Sequence, residues 1–460
     1  MEYTIGLDYG TNSCRCVMVN TANGEEVGAA IYEYETGDHG IILDKCDHNV
    51  ARQNPADYVK GIEVTIKKAM AAAKKADKKF RAESVIGIGV DTTGSTPLPV
   101  DKNGMPLGML KEFKKNPNAM AWLWKDHTSH AEAAEITALA HKEHPEYLAK
   151  CGGVYSSEWF FSKILHCLRV DSKVFDVAYS WVECCDFLTG ILTGTSNPTI
   201  LKRSRCAAGH KAMFNKQWGG LPAKDFLSRL DPKLGELRER LYDDTSTIET
   251  VAGGLTEEWA EKLGLRVGIP VAVGAFDAHL GAVGSGIAPG ILVKIIGTST
   301  CDCLVSDNKT NLADIPGICG IVDGSILPNY YGLEAGQSAV GDIFNWFVNY
   351  IEPAGKKNGS HAALTEKAAK LKPGQSGLIA LDWNNGNRTI LVDESFAAAQ
   401  AKMCGVKKKT FKPIVANHQV YQQLYKLYLQ LHDAFGVSSW NGNLINVMKE
   451  LLSIKDKANE

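Results

Sequence analysis

The sequence predicts an α/β protein of two main lobes, and three observations carry that expectation. At 460 residues, 45% hydrophobic and 22% charged, the chain can bury more than one core, and chains of this size usually divide. Short strand-like apolar runs are interleaved with segments of helical period. One phrase is also written twice, as DYGTNSCRC at 8–16 and IIGTSTCDC at 295–303.

Each copy of the phrase sits between apolar runs, TIGLD and VMV around the first, ILVKII and LV around the second, which reads as strand, tight turn, strand. Gly10 and Gly297 ease the turn, and Thr11, Asn12, Ser13 and Thr298, Ser299, Thr300 follow with amides and short polar side chains. Such a loop can cradle phosphate oxygens, and a single copy is equally an ordinary polar hairpin. Two copies point to duplicated lobes that clamp a nucleotide triphosphate. Asp8 precedes the first loop, where a carboxylate suits Mg²⁺ or its waters or simply bonds its own turn; Ile295 stands at the matching place in the second.

Beyond the first hairpin, residues 56–76 have helical period after a proline, and the apolar run at 85–90 is a strand ending in Asp91, Thr92, Thr93 and Gly94. Ligands of open α/β sheets bind outside such strand ends. Residues 119–142 are read as a helix carrying Trp124, Lys125, Asp126 and His127, and Lys211 lies among small residues in KRSRCAAGHKAMFN. Near residue 250 the texture becomes Gly-rich, and GIPVAVGAFD delivers Asp277 to a strand end and helix start. That position fits a general base and equally a helix N-cap. In the tail, Val420, Leu424, Tyr425, Leu427, Tyr428, Leu431 and Phe435 mark one apolar helix face.

Composition narrows the function. A formal charge of −2 gives no global reason to bind nucleic acid or an anionic membrane, and no apolar stretch is long enough to span a bilayer. The first residues alternate like a strand, without the basic segment and apolar run of a signal peptide. Twelve scattered cysteines with no CxxC pair are expected to be reduced thiols in the cytoplasm. No GxxxxGK[ST] phosphate loop occurs.

DYGTNSCR, DTTGSTPLPVD, WLWKDHT, SSEWFFSKIL, GAFDAHLGAVGSG, GTSTC, YGLEAGQSAVGDIFNWF and LDWNNGNRTILVD, taken in order, resemble the FGGY carbohydrate kinases over residues 1 to about 393. The resemblance implies a two-lobed actin/hexokinase-like (ribonuclease H-like) ATPase fold. Residues 1–252 would form the lobe with the sugar pocket and first phosphate loop. Residues 253–460 would carry the catalytic base and second loop, truncated after about 393 and ending in a helical tail, 415–460. The activity implied is ATP-dependent phosphorylation of L-ribulose to L-ribulose 5-phosphate in L-arabinose catabolism, with another pentulose, or a catalytically impaired sugar-binding remnant, as the alternatives. ATP and Mg²⁺ are the cofactors, the sugar is the partner, and a homodimer is the assembly considered. Asp277 becomes the base, and Thr93, Gly94, Ser95, Asp126, Lys211 and Glu334 the sugar-pocket positions. Asp8, Gly10, Thr11, Asn12, Ser13, Gly297, Thr298, Ser299 and Thr300 would hold the phosphates, with Asp8 also at the metal. Trp122, Trp124 and Trp159 offer sugar-stacking faces or are core.

After RTILVD at 388–393 the resemblance implies a long helix and a Gly-rich turn that hold the adenosine. This chain has no such phrase there, so a block of the second lobe is expected to be missing and ATP to rest on the phosphate loops alone.

Overall fold

A computed structural model describes residues 1–309, 312–337, 340–351, 360–378, 414–436, 440–444 and 446–459. LDWNNGNRTILVD, the break after 393 and the Phe435 side chain lie outside the described residues. Two compact units are present: one holds Met1–Ile295 and Cys301–Ala335, the other Ile296–Thr300 and the described residues beyond Ala335.

The larger unit is built on a seven-stranded mixed sheet. Strands β1 (Tyr3–Tyr9), β2 (Ser13–Asn20) and β3 (Glu26–Glu33) form an antiparallel meander. β4 (Val85–Thr92) runs parallel to β1 on its other side. Beyond it come β6 (Pro270–Ala272) and β5 (Val251–Gly254), giving the order β5-β6-β4-β1-β2-β3, while β7 (Ala275–Phe276) also pairs with β4. Along β1 every second residue, Tyr3, Ile5, Leu7 and Tyr9, is buried, the alternation of a strand with one face on a core.

Helix α1 (Pro55–Ala76) covers one side of the meander. Asn54 caps it by accepting from the Ala56 amide, proline occupies its first turn, and Lys74 and Lys75 lie at its C-terminal end, as the macrodipole favours. Its buried stripe of Tyr58, Ile62, Ile66, Ala69 and Ala73 joins the core beneath the sheet. At Gly28 of β3 the helix comes close enough that a Cβ would lie 2.4 Å from the Ala69 carbonyl oxygen. Because that neighbour is backbone, Gly28→Ala is expected to lower stability by about 1–3 kcal/mol, the usual range for overpacking, read by chemical denaturation. An unchanged midpoint would show that helix and sheet separate at no cost.

Most of a second, four-stranded sheet lies in the same unit, β8 (Val293–Ile296), β9 (Thr300–Asp307), β11 (Tyr330–Gln337) and β10 (Gly320–Asp323), in the order β8-β9-β11-β10, with Ile296, Thr300, Gly336 and Gln337 belonging to the smaller unit. Helix α2 (Asp277–Gly284) enters directly from β7. Both repeated phrases are therefore strand-turn-strand, as expected, although the turns differ. The Gly10 amide reaches the Ser13 carbonyl at 2.9 Å, and the Gly297 amide reaches Ser299, one residue closer in sequence, also at 2.9 Å.

One expected helix is replaced. Residues 119–142 split into a short 3-10 turn, a strand at Ala121–Trp122, a loop and a helix at His130–Glu143. The strand pairs with Ala51–Gln53, and Asp126 turns inward to hold the Ala51 amide at 2.7 Å and its own loop through Thr128. Buried tertiary hydrogen bonds thus override helical propensity at WLWKDHT.

In the smaller unit, α3 (Val415–Gly436) packs on α4 (Val447–Asn459). Val420, Leu424, Leu427 and Leu431 meet Val447, Leu451 and Ile454, and Tyr425 stacks on Tyr428, so the apolar face expected of the tail is satisfied by a partner helix. Among the described residues no helix is long and apolar enough to cross a membrane, and the 11 described cysteines are free thiols.

Candidate active site

Three strands of the large sheet bring carboxylates to one edge. The parallel register sets Asp8 of β1 beside Asp91 of β4, and β7 sets Ala275 and Phe276 beside Asp91 and Thr92, so Asp277 emerges one residue further on. Burial first, then Asp8 and Asp277, push the Asp91 carboxyl well above the carboxylate range. Asp277 is pushed up to about 6 by burial, against the Ala278 amide that donates to its Oδ1 at 2.7 Å and with help from the charge of Asp8. Asp8 Oδ2 is 2.8 Å from Arg15 Nη2, while the Oδ1 atoms of Asp8 and Asp91 are buried without a hydrogen-bond partner. Two orphaned carboxylate oxygens on adjacent strands are donors of the kind that a hard divalent cation takes, so these residues fit Mg²⁺.

The first loop is pinned from outside. The Thr11 hydroxyl accepts from Trp124 Nε1 at 3.0 Å and its carbonyl from Gln53 Nε2 at 2.7 Å, and Asn12 Nδ2 donates to the His39 carbonyl at 2.7 Å. Gly10 lies where a Cβ would be 3.0 Å from Arg15 Nη2, and Ser13 opens β2. In the smaller unit, the Thr298 carbonyl accepts from the Val340 amide at 2.9 Å and Thr300 Oγ1 from the Gln337 amide at 3.1 Å, with Gly297 and Ser299 closing the turn.

A second group of residues surrounds Phe276. Gly94 packs so tightly on this ring that a Cβ would lie 2.2 Å from Cδ1, and Lys211 Nζ stands 5.6 Å from its centroid and 5.6 Å from that of Trp159. Lys211, at the end of the helix Arg205–Lys211, donates to Glu334 Oε1 of β11 at 2.7 Å. His210 Nδ1 and His279 Nε2 approach Glu334 Oε2 at 3.4 and 3.3 Å. Burial opposes ionisation of Glu334, yet Lys211, His279 and His210 together hold it well below the ordinary carboxylate range. Charged donors and acceptors held in place this way suit a polyol.

The remaining expected positions are committed inside the protein. Thr93 takes its amide to the Tyr9 carbonyl at 2.9 Å and its hydroxyl to Thr96 at 2.9 Å. Ser95 Oγ donates to Glu183 at 2.7 Å. Asp126 is fully buried on Arg52, the Ala51 amide and Thr128. Trp122 is core, with Arg52 stacked 3.4 Å from its ring centroid, and Trp124 braces the first loop.

Sequence reasoning placed Asp91 at a strand end without giving it a role, and passed over Arg15, Phe276, His279 and Lys163. The last is buried at SSEWFFSKIL and donates to the carbonyls of Ser95 at 3.0 Å, Trp122 at 3.3 Å and Leu123 at 2.9 Å, tying two loops together. For Asp91 a signal existed: Ile5-Gly6-Leu7-Asp8 and Ile88-Gly89-Val90-Asp91 are one phrase, and the register aligns them residue by residue.

Comparison with known proteins places this geometry. Residues 3–284 match the N-terminal domain, and residues 292–429 the C-terminal domain, of the FGGY family of carbohydrate kinases. Ribulokinase of Vibrio parahaemolyticus is 43% identical over 417 residues, 86% of this chain and 72% of that protein. Ribulokinase of Halalkalibacterium halodurans is 41% identical over 408 residues, 85% of this chain and 69% of the relative. Among solved structures, a ligand-bound xylulose kinase from Lactobacillus acidophilus superposes with a TM-score of 0.69 at 14% identity, over 95% of this chain and 99% of its own, which speaks to the shared fold.

Proposed function

The chain belongs to the FGGY family of carbohydrate kinases, and on that premise we propose that it transfers the γ-phosphoryl group of ATP to the terminal hydroxyl of L-ribulose, giving L-ribulose 5-phosphate. The observation that carries the reading is Asp277, a half-buried carboxylate at a strand end with its acidity weakened to about 6, in a chain 43% and 41% identical to ribulokinases.

In this reading Asp277 accepts the hydroxyl proton as the new bond from oxygen to phosphorus forms and the bond to the β-phosphate oxygen breaks. Lys211, Glu334 and Gly94 orient the sugar. Thr93, Ser95 and Asp126 act from behind it, since their side chains bond other protein groups. The amides and hydroxyls of the Gly10–Ser13 and Gly297–Thr300 loops receive phosphate oxygens. Mg²⁺, held through Asp8 and Asp91, would neutralise phosphate charge when bound. Residues 1–252 then carry the sugar pocket and first phosphate loop, joined at the sugar by Glu334, and 253–460 the base and second loop.

The test is a coupled assay of the purified chain with L-ribulose and ATP, with the product identified by phosphorus NMR. Phosphorylation at any other hydroxyl, or none with any pentulose, would overturn the reading. A further expectation concerns the nucleotide. The chain has no Gly-rich phrase after residue 393, so adenosine is less well fixed and lost positioning weakens ATP more than sugar. Separate calorimetric titrations should give the tighter binding with L-ribulose; tighter binding of Mg-ATP would show that other residues hold the adenosine.

A further inference from the structure

The Cys-x-Cys that ends each copy of the repeated phrase has no part in the reading above. In the second copy, alternation along β9 brings Cys301 and Cys303 to one side, with Sγ atoms 3.7 Å apart. His279 of α2 lies against them, and one ligand atom from each of the three residues falls within 4.8 Å of the others. We propose that Cys301, Cys303 and His279 bind one thiophilic divalent cation of the zinc class.

Tetrahedral zinc with bonds to sulfur of about 2.3 Å sets sulfur pairs about 3.8 Å apart, so the two thiols already have the spacing that the cation needs. The His279 ring is also suitably held. Its Nδ1 is 2.8 Å from Cys206 Sγ, whereas the buried Nε2 makes no hydrogen bond and faces Glu334 Oε2 at 3.3 Å. One nitrogen fixed by an outer partner and the other left without a hydrogen bond is the arrangement of a ligating histidine. His210, His279 and Glu334 form a second cluster of ligand type, but there the Lys211 ammonium already stands 2.7 Å from the carboxylate, and an added cation would meet positive charge. Cys301 is only half-buried, unlike Cys303 and His279, so it gives the cation a way in from solvent.

Three protein ligands leave one position for water. On binding, Cys301 and Cys303 release their thiol protons and His279 any proton it shares with Glu334, all to solvent, and the cation takes two thiolates and a neutral imidazole. His279 also faces Glu334, so an occupied site draws this ring toward the sulfurs and weakens L-ribulose binding. That consequence rests on the sugar-pocket reading, whereas cation binding does not.

The full chain, stripped with a chelator and kept reduced by a phosphine, is titrated with Co²⁺ alone. A thiolate-to-cobalt charge-transfer absorption should rise to one equivalent and be displaced by Zn²⁺. Cys206→Ala should weaken binding by about 10–100-fold, the range for loss of an outer partner, and Cys301→Ser with Cys303→Ser should weaken it further than that. If the double variant misfolds by circular dichroism, Cys301→Ser alone, at the half-buried position, serves instead. No absorption, or full absorption in the Cys301 and Cys303 variants, would overturn the site. L-ribulose titrated into zinc-loaded chain tests the link to the pocket; unchanged affinity there, with the absorption present, removes the link and leaves the cation site standing.

Discussion

Asp277→Asn is expected to lower turnover of L-ribulose by a factor of about 10²–10⁴, the contribution of a positioned general base, while sugar binding persists. The amide keeps the shape of the carboxyl and can still accept from the Ala278 amide, so what is lost is the proton acceptor. Stability should move differently. The folded-state acidity of Asp277 is shifted up to about 6 by burial. A raised carboxyl favours the folded protein at low pH, and that contribution is lost as pH rises through about 6. Near neutral pH the parent therefore carries a half-buried, poorly solvated charge that asparagine does not, and the variant should unfold no more easily than the parent. The pH profile follows the same sign: parental turnover should fall as pH drops below about 6, because the base becomes protonated. Turnover within tenfold of the parent would sink the assignment. A large loss of stability in the variant would show instead that Asp277 is a structural cap.

How far the site could be read in the sequence depended on whether its parts are local. The two hairpins and the strand-end Asp277 are local patterns, each legible from a few consecutive residues. Asp91 was equally legible, since it closes a repeat of the phrase that closes with Asp8, but the Gly-Thr turns drew the comparison elsewhere. Lys211 and Glu334 are 123 residues apart, and no spacing rule joins them; only the resemblance to sugar kinases named both. Arg52 and Asp126 show the same limit from the structural side. Their buried pair turned WLWKDHT into strand and loop where its period reads as helix, because a buried charge needs its partner more than the segment needs its local preference.

Removing one member of a buried pair has the largest expected effect on stability, and Lys211→Met is the sharpest case. Lys211 and Glu334 are 4% and 6% exposed and meet at 2.7 Å. Loss of the ammonium leaves Glu334 Oε1 with the weakly donating Cys319 thiol at 3.7 Å and Oε2 with the His279 and His210 imidazoles at 3.3 and 3.4 Å. A buried charge stripped of its partner costs about 3–5 kcal/mol, which urea unfolding followed by tryptophan fluorescence should register, since Trp159 lies 5.6 Å from the lost group. Adding Glu334→Gln removes the stranded charge, so the double variant should recover part of that loss. Sugar binding should not recover with it. A hydrogen bond to a charged group contributes about 1.5–3 kcal/mol, and both variants lack the ammonium, so each should bind L-ribulose about 10–100-fold more weakly than the parent. Equal stability in the single and double variants would show that Glu334 is held by its histidines rather than by Lys211. Parental affinity for L-ribulose in either would place the pocket elsewhere, because no sugar hydroxyl would then be using this pair.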